Sequence, residues 1–397
     1  MRKIKSLIKM NICFVADTIF PSFGGLGRTT ERFSRALEKR GHKIVFIKAK
    51  QNNEKEDFRI LDGIRIYQTR SLKIPFMSNK YYIAYPRAEE IRNILKKESI
   101  DVIHLLSYGN SATSTIKEAK KLNIPIIIGV HVQPENIVMP LHLNFWVIKK
   151  VITIILKNLL EKCNCIITPS EFSKRIIEGY GVKKKVFVIS NGVDLSKFNY
   201  KKISGKKFRK KFDLGGERFF LYVGRIMFEK NLDAIIEACR LIDWNKNSDL
   251  RFVIVGDGND KKRIEKKAKK FHLENKIIFA GKVDDELLKS AYKSCEILVH
   301  PSLIELEGMA VLEAMAFGKP LLLANSKQSA SPTLIKGNGQ LFNPFNPKEL
   351  AEKMIELVND KAKLKLFGLN SFKQAEKYSF DKSVKSMENL FLKVKIS

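Results

Sequence analysis

Residues 297–324 read ILVHPSLIELEGMAVLEAMAFGKPLLLA, and this stretch shows the unit from which the chain is built. The apolar run at its start predicts a buried strand that ends at Pro301 and Ser302. MAVLEAMAF is rich in Ala, Leu and Met, which favour helix, and Gly318 with Pro320 stops it. A further apolar run, LLLA, follows directly. Strand, helix and strand in this order are typical of a parallel sheet covered by helices.

The same stretch places two carboxylates on either side of a glycine. Glu305 lies in the predicted loop, and Glu313 lies about one and a half turns inside the helix. The first amides of a helix have no acceptor within it, and the helix dipole attracts anions there. An acid in the loop, these donors and a second acid could hold a ligand with hydroxyl groups and negative charge. The alternative is that Glu313 is only a solvated helix residue.

Apolar runs alternate with helical segments in both halves of the chain, which predicts an α/β protein with two doubly wound, Rossmann-like domains. We assign residues 1–190 to the first domain, with 376–397 packing back on it, and residues 191–375 to the second. Asn191-Gly192 is the turn signal at the boundary. Two such sheets leave a cleft between the carboxyl ends of their strands, where ligands bind. The predicted strands are NICFVAD, HKIVFIKA, DVIHLLS, IPIIIGV and CIITPS, then FFLYVG, RFVIVGDG, KIIFAG, EILVHPS and PLLLANS.

Two loops at predicted strand ends carry chemistry. GRIMFEKN places Arg225 and Lys230 after a strand, and a planar guanidinium with a point charge suits a diphosphate. The alternative is a pair of solvated surface cations. FGGLG, with Gly25 and Gly27, follows the first strand as a predicted loop before the helix TTERFSRALEKRG. Glycines there let backbone approach a ligand closely.

These motifs carry a resemblance. The chain resembles the retaining glycosyltransferases of family 4 (group 1), which have the GT-B fold of two Rossmann-like domains facing a cleft. The resemblance covers most of the chain, and its most specific part is the acid pair followed by EAMA and GKP. The matching segments are GGLGRTTERFSRALEKRGHKI, ITPSEFSKR, ISNGVDLSKF, YVGRIMFEKN, FVIVGDG, PSLIELEGMAVLEAMAFGKP and KYSFDK.

The resemblance implies a role for each matching residue. Arg225 and Lys230 would neutralise the diphosphate of a nucleotide-sugar donor, and Glu305 would hold hydroxyl groups of the donor sugar. Glu313 would hold the ribose hydroxyl groups, and His131 would lie near the reacting sugar. The implied catalytic residues are therefore His131, Arg225, Lys230 and Glu305. The other implied donor contacts are Gly25, Gly27, Gly256, Gly308, Met309, Ala310 and Glu313.

One position departs from the family, which usually has Phe before the glycine where this chain has Glu307. An acid near a diphosphate is unfavourable unless it points away.

The expected reaction needs neither a metal ion nor a cofactor, since the nucleotide-sugar, expected to be a UDP-sugar, is a substrate. Cations and helix-end amides would stabilise the departing diphosphate. No side chain is an obvious covalent nucleophile, so we expect same-face attack with retention. The five cysteines are scattered, and Cys163-Asn-Cys165 lacks the spacing of metal ligands.

The charge balance suggests where the acceptor is. The net charge is +31, and residues 1–200 have 35 Lys and Arg against 17 Asp and Glu, a net +18. We expect a cytoplasmic protein that binds peripherally to the anionic inner leaflet of the cell membrane, without a spanning segment. The helix predicted over 144–162 would contribute Lys149, Lys150 and Lys157. The alternative is that this helix only packs on the sheet.

HVQPENI resembles loops of relatives that glycosylate lipids such as diacylglycerol, so Glu135 and Asn136 are candidate acceptor contacts. The expected acceptor is a membrane lipid or a lipid-linked saccharide. Three alternatives stay open: a soluble or polysaccharide acceptor, a GT-B nucleotide-sugar epimerase, and, from charge alone, a nucleic-acid-binding protein. The last lacks any recognisable nucleic-acid-binding module, and we expect no nucleic-acid partner.

Overall fold

The computed structural model describes residues 8–17, 24–51, 54, 56–73, 82–134, 145–196 and 203–396, with only the backbone for 24–25 and 145–146. The chain forms two compact units. The first contains the described parts of Met1–Pro134, Asn144–Ile189 and Ser383–Ser397, and the second those of Ser190–Lys382. The boundaries predicted from the sequence lie at residues 190 and 376.

The first unit is built on an eight-stranded sheet with the order β10-β9-β8-β7-β1-β2-β4-β3. All its strand pairs are parallel except β3 with β4. The central strands are mostly apolar and are buried on both faces, as expected between layers of helices. The strands of this sheet are β1 (Asn11–Val15), β2 (Lys43–Ala49), β3 (Phe58–Leu61), β4 (Ile64–Thr69), β7 (Val102–Leu105), β8 (Ile126–Gly129), β9 (Cys165–Thr168) and β10 (Val186–Val188). Two further strands, β5 (Ser71–Lys73) and β6 (Tyr82–Ala84), form a separate antiparallel pair.

The helices that alternate with these strands in the described ranges are α1 (Gly24–Lys39), α2 (Ala88–Lys97), α3 (Asn110–Lys121), α4 (Phe145–Leu160) and α5 (Glu171–Gly179). The start of α1 corrects the sequence prediction, because Gly24–Gly27 lie in its first turn rather than in a loop. Thr29 and Phe33 are buried one turn further on, and the Thr30 hydroxyl donates to the Leu26 carbonyl at 2.9 Å. Burial of these side chains outweighs the low helix propensity of glycine.

The second unit has a six-stranded parallel sheet with the order β13-β12-β11-β14-β16-β18. The chain reverses its direction across the sheet at β11 and β14, and ligands of such sheets bind at this switch point. The strands are β11 (Arg218–Val223), β12 (Leu250–Val255), β13 (Ile277–Gly281), β14 (Ile297–His300), β15 (Ile304–Glu305), β16 (Leu321–Ala324), β17 (Gln328–Ser329) and β18 (Gly339–Phe342). β15 and β17 form a separate short pair.

The helices of the second half are α6 (Lys206–Lys211), α7 (Leu232–Leu241), α8 (Lys261–Lys270), α9 (Asp285–Ser294), α10 (Met309–Ala316), α11 (Pro347–Asn359), α12 (Lys361–Ala375) and α13 (Phe380–Ile396). From Ser383 onward α13 belongs to the first unit. Glu388 accepts from Arg40 at 3.0 Å and lies 2.9 Å from His42 Nε2. The prediction of two doubly wound α/β domains with a C-terminal helix on the first is confirmed, as are the ten predicted strands.

Candidate functional site

Three side chains meet after the carboxyl ends of β11 and β14, which are neighbours in the second sheet. Lys230 closes a short 3-10 turn, Phe228–Lys230, in the loop after β11. Its Nζ lies 2.6 Å from Glu305 Oε1, and His300 Nε2 lies 3.1 Å from the same oxygen. The loops are tied together because the Leu303 amide donates to the Glu229 carbonyl at 2.9 Å. The structure therefore brings together two of the predicted residues, Lys230 and Glu305, and adds His300.

Opposite charge keeps Glu305 ionised in this cluster. Burial alone would raise the pKa of the Glu305 carboxyl, but the charge of Lys230 and the hydrogen bond from His300 outweigh that effect and hold the pKa well below its ordinary value. Lys230 itself is buried. A buried carboxylate paired with a buried ammonium is costly to disturb, because removal of one partner leaves the other without compensation.

His300 is the residue that sequence reasoning missed. It ends β14, and its ring stacks on Tyr222 with ring centres 6.3 Å apart and planes 14° apart. The available signal was its position, since a histidine that ends an apolar strand and precedes Pro-Ser lies at the edge where parallel sheets bind ligands.

Arg225 lies in the same loop as Lys230 but outside the buried cluster. Its side chain is 60% exposed, and its guanidinium is 3.5 Å from Glu229 Oε1. Its backbone is fixed, because the Tyr222 hydroxyl donates to the Arg225 carbonyl at 2.8 Å. The Arg225 guanidinium is thus largely exposed, whereas the Lys230 ammonium is buried in contact with Glu305.

Gly256 permits close contact between the loops after β11 and β12. It has φ of 145°, and a Cβ there would lie 1.8 Å from the Gly224 carbonyl oxygen. Gly258 is equally constrained, since its Cβ would lie 2.1 Å from the Ile226 carbonyl oxygen. The structure gives Gly256 a packing reason to be glycine, and its predicted contact with a donor stays a prediction.

Gly308, Met309 and Ala310 form the start of α10. Gly308 is the N-cap residue with φ of 89°, a conformation that L side chains rarely adopt. A Cβ there would also lie 2.8 Å from Ser331 Oγ. The amides of Met309 and Ala310 are the first of the helix, where no intrahelical acceptor exists. The structure therefore places helix-end donors four residues after Glu305.

Glu307 is directed away from those donors. Its buried carboxylate accepts from the Asn191 amide at 3.1 Å and from the Ser190 hydroxyl. It therefore binds the turn at which the chain enters the second unit. The acid at this unusual position is satisfied by protein donors, which answers the concern that it would face a diphosphate.

Glu313 is oriented by a second buried residue that the sequence did not suggest. Its Oε2 accepts from the Tyr292 hydroxyl at 2.8 Å, and Tyr292 is fully buried on α9. Burial, together with the neighbouring Glu313 carboxylate, raises the pKa of Tyr292 well above its ordinary value. Tyr292 therefore stays a neutral donor, and Glu313 is a fixed acceptor rather than a freely solvated helix residue.

In the first unit, His131 follows β8, and its amide donates to the Tyr108 hydroxyl oxygen at 3.1 Å. A Cβ on Gly129 would lie 2.9 Å from His104 Nε2 and 3.1 Å from His131 Nε2, so the two rings approach the same glycine. Burial lowers the pKa of His131 to about 4, so the ring is neutral at neutral pH.

The other predicted positions of the first unit are placed as follows. Gly25 and Gly27 lie in the first turn of α1. Glu135 and Asn136 lie outside the described residues. Lys150 on α4 is exposed, whereas Lys149 and Lys157 are half-buried.

Helix α4 has two apolar faces. Leu156, Leu159 and Leu160 are buried in the core of the first unit. The opposite face exposes a stripe of aliphatic side chains at helical spacing, which we call the α4 stripe: Val147 (59% exposed), Val151 (50%), Ile154 (49%) and Ile155 (59%). The alternative that this helix only packs on the sheet is therefore incomplete.

No group of three or more His, Cys, Asp or Glu side chains among the described residues is arranged to hold a metal ion. Likewise, none of the helices in the described ranges combines the length and apolar character needed to cross a bilayer.

Comparison with known proteins identifies the class. The family model described as "Glycosyltransferase Family 4" matches residues 23–197, and "Glycosyl transferases group 1" matches residues 204–374. Together with two doubly wound α/β units, these matches define a glycosyltransferase with the GT-B fold. The chain belongs to the group 1 glycosyltransferases.

Individual relatives agree with this assignment. The alpha-monoglucosyldiacylglycerol synthase of Streptococcus pneumoniae is 27% identical over 357 residues, which are 88% of this chain and 78% of that protein. The structure of sucrose-phosphate synthase from Thermosynechococcus elongatus is similar with a TM-score of 0.81 at 19% identity, over 97% of this chain and 99% of that one. Anabaena HepE in complex with UDP-glucose gives a TM-score of 0.75 at 17% identity, with coverage of 97% and 99%. At these identities the structural likeness shows the fold.

Proposed function

We propose that the protein is a retaining glycosyltransferase that moves a hexose from a UDP-sugar to a membrane lipid, such as diacylglycerol, or to a lipid-linked saccharide. The observation that carries the donor assignment is the buried contact of Lys230 and His300 with Glu305, three residues before the N-cap of α10. A sugar diphosphate has hydroxyl groups next to negative charge, and this arrangement offers acceptors next to positive charge.

In this proposal each part of the donor has its own group. The Lys230 ammonium, the exposed Arg225 guanidinium and the first amides of α10 receive the diphosphate. The two contacts of Glu305 fall on Oε1, and among the described residues Oε2 has no hydrogen-bonding partner, so Oε2 accepts from hydroxyl groups of the sugar. Glu313, held by Tyr292, accepts from the ribose hydroxyl groups.

The proposed chemistry depends on electrostatic stabilisation of the leaving group. Negative charge grows on the diphosphate as the glycosidic bond breaks, and preorganised cations and amides stabilise that charge more than they stabilise the bound substrate. The acceptor oxygen forms its bond to the anomeric carbon from the face that the diphosphate leaves, and the hydroxyl proton passes to the departing diphosphate. Attack on this face retains the configuration without a covalent enzyme intermediate. The nucleotide-sugar is consumed as a substrate, and the proposal includes no metal ion or cofactor.

Two findings support the choice of donor and acceptor. The similar structure of Anabaena HepE holds UDP-glucose, and the relative from Streptococcus pneumoniae is named for a glucosyldiacylglycerol product. We propose Glu135 and Asn136 as acceptor contacts on the loop resemblance alone.

The α4 stripe supports binding to a membrane surface. Exposed aliphatic side chains at helical spacing, flanked by lysines, are typical of helices that lie in the bilayer interface. The net +18 of residues 1–200 adds attraction to anionic lipids. We therefore propose a cytoplasmic enzyme that reaches its lipid acceptor by peripheral attachment to the inner leaflet.

The test is a transfer assay with purified protein. UDP-, GDP- and ADP-sugars are first ranked by the thermal stabilisation that they give. The best donor, with a labelled sugar, is then offered vesicles with and without diacylglycerol, and a soluble sugar acceptor in parallel. The proposal predicts label in the lipid fraction with retained anomeric configuration. Label only in the soluble acceptor would contradict a lipid acceptor and support a soluble one. Isomerised sugar without transfer would support an epimerase.

A further inference from the structure

We propose that His300 is a positioning residue of the donor site, which holds the Glu305 carboxylate in place for the donor sugar while Lys230 is shared with the diphosphate. This inference rests on the proposed function, because it assigns a supporting role at the same site. The observation behind it is that two side chains from different elements, Lys230 in the loop after β11 and His300 at the end of β14, contact the same oxygen of Glu305.

The first step concerns Lys230. Its ammonium has three N–H donors. Nζ lies 2.6 Å from Glu305 Oε1 and 3.4 Å from Ser302 Oγ, so it donates to both oxygens. When a diphosphate binds to Lys230, the ammonium serves two anions, and its hold on Glu305 weakens. The contact from His300 is independent of the diphosphate, since His300 approaches from the end of β14 rather than from the loop after β11.

The second step is the rigidity of the His300 ring. The side chain is 3% exposed, and its ring stacks on Tyr222. Tyr222 is in turn fixed by its hydroxyl, which donates to the Arg225 carbonyl. A buried ring held by the strand on one side and by an aromatic ring on the other places Nε2 with little freedom. Such a group can fix the direction of a carboxylate.

The third step identifies the proton. His300 Nδ1 is buried and has no hydrogen-bonding partner among the described residues. A proton on Nδ1 would leave a buried donor unsatisfied, which costs free energy. The favoured neutral tautomer therefore has its proton on Nε2, where it donates to Glu305 Oε1 at 3.1 Å. The tautomer is a direct signature of the proposed contact.

The variants that test this role are His300→Gln, which keeps an N–H donor near the position of Nε2, and His300→Leu, which removes it. A hydrogen bond to a charged group corresponds to roughly a tenfold or larger effect. We expect kcat of His300→Leu to fall by about that factor. Affinity for free UDP should stay within about twofold, because the proposed donor site assigns neither the ribose nor the diphosphate to His300. His300→Gln should recover most of kcat.

A double-variant cycle tests whether His300 acts through Glu305. In the Glu305→Gln background, His300→Leu should cause no further loss of kcat. An equal loss in both backgrounds, or wild-type kcat in His300→Leu with an unchanged melting temperature, would overturn the proposal.

A spectroscopic readout keeps the proposal falsifiable if His300→Leu fails to fold. In ¹⁵N-histidine-labelled wild-type protein we expect His300 as the Nε2–H tautomer, with a chemical shift that moves in Glu305→Gln. An Nδ1–H tautomer would overturn the inference without reference to activity. If Glu305→Gln has wild-type transfer activity, the proposed function of Glu305 fails instead, and the tautomer still reports whether the His300 contact exists.

Discussion

The strand ends of the two units handle buried ionisable groups in opposite ways. In the second unit, Glu305 and Lys230 are buried as an ion pair, and the pKa of Glu305 is lowered. In the first unit, burial lowers the pKa of His104 to about 3, with a smaller contribution from His131, and no opposite charge among the described residues raises it again. Burial also raises the pKa of Asp17 despite hydrogen bonds from Ser111 and Ser107.

This comparison teaches that charge survives burial only beside its opposite. The second unit retains ions where an anionic diphosphate is proposed to bind. Burial in the first unit keeps His104 and His131 neutral, which suits the uncharged hydroxyl group of the proposed lipid acceptor. The experiments below test the two sides of this difference.

The largest effect is expected from Lys230→Ala and Arg225→Ala, which break the charged side of the comparison. Either change should lower kcat/KM by about a hundredfold or more, on the scale of losing one preorganised donor. Lys230→Ala should also lower the melting temperature, because it leaves Glu305 buried without its cation. The exposed Lys246 provides the control Lys246→Ala. Activity within a few-fold of wild type in both site variants would refute the donor assignment.

The next effect separates the two carboxylates. Glu313→Gln should lower the affinity for free UDP by roughly tenfold, because a hydrogen bond from a ribose hydroxyl group to a charged acceptor is lost. Glu305→Gln should leave the affinity for UDP nearly unchanged. It should lower kcat and reduce the selectivity for one donor sugar over another. Calorimetric titration of UDP measures both. Unchanged UDP affinity in Glu313→Gln would contradict the ribose role.

A smaller, several-fold effect is expected at the membrane. The double variant Ile154→Ser with Ile155→Ser should reduce binding to anionic vesicles, because it removes exposed apolar side chains. A triple variant with Gln at Lys149, Lys150 and Lys157 should reduce binding mainly at low salt, where electrostatic attraction is strongest. The matched controls lie on the second unit: Leu366 and Leu369→Ser on α12, and Lys262, Lys266 and Lys269→Gln on α8. Co-sedimentation measures binding. Equal losses of vesicle binding in the control and test variants would contradict a role of α4 in membrane binding.

The smallest expected effect is on the pH dependence of stability, and it tests the neutral, buried His104 of the first unit. Because the pKa of His104 is about 3 when folded and 6.5 ordinarily, the unfolded chain takes up its proton first. Its contribution to stability is complete above pH 6.5 and is lost as pH falls from there toward about 3. His104→Phe should therefore lose less stability than wild type between pH 7.5 and 5, as measured by urea unfolding. The exposed His272, changed to Asn, is the control. Parallel pH curves for His104→Phe and wild type would contradict a neutral buried His104.

Local sequence patterns were enough for ten of the strands in the two main sheets and for the helix that carries Glu313. The hairpin of β3 and β4 was missed, although Asp62-Gly63 is a turn signal and both residues have positive φ, 47° and 81°. The predicted start of α1 was wrong, because burial of the side chains that follow the glycines decides where the helix begins.

The contacts between distant residues could not be read from the sequence. His300 reaches Tyr222 only because β14 and β11 are neighbours in the sheet. Glu307 is satisfied by Asn191, which lies 116 positions away along the chain. Such contacts depend on sheet order and on side-chain direction, and neither is encoded in periodicity.

The central claim is transfer of a hexose from a UDP-sugar to a lipid at the Lys230–Glu305 site, and one measurement tests it most directly. Wild-type protein and Lys230→Ala are incubated with labelled UDP-glucose and anionic vesicles that contain diacylglycerol, and label in the extracted lipid is counted. The account predicts a labelled glycolipid with the wild type and about a hundredfold less with Lys230→Ala. Equal labelling by both proteins would contradict the proposed site, and thermal stabilisation by no UDP-sugar together with no labelling would contradict the proposed donor.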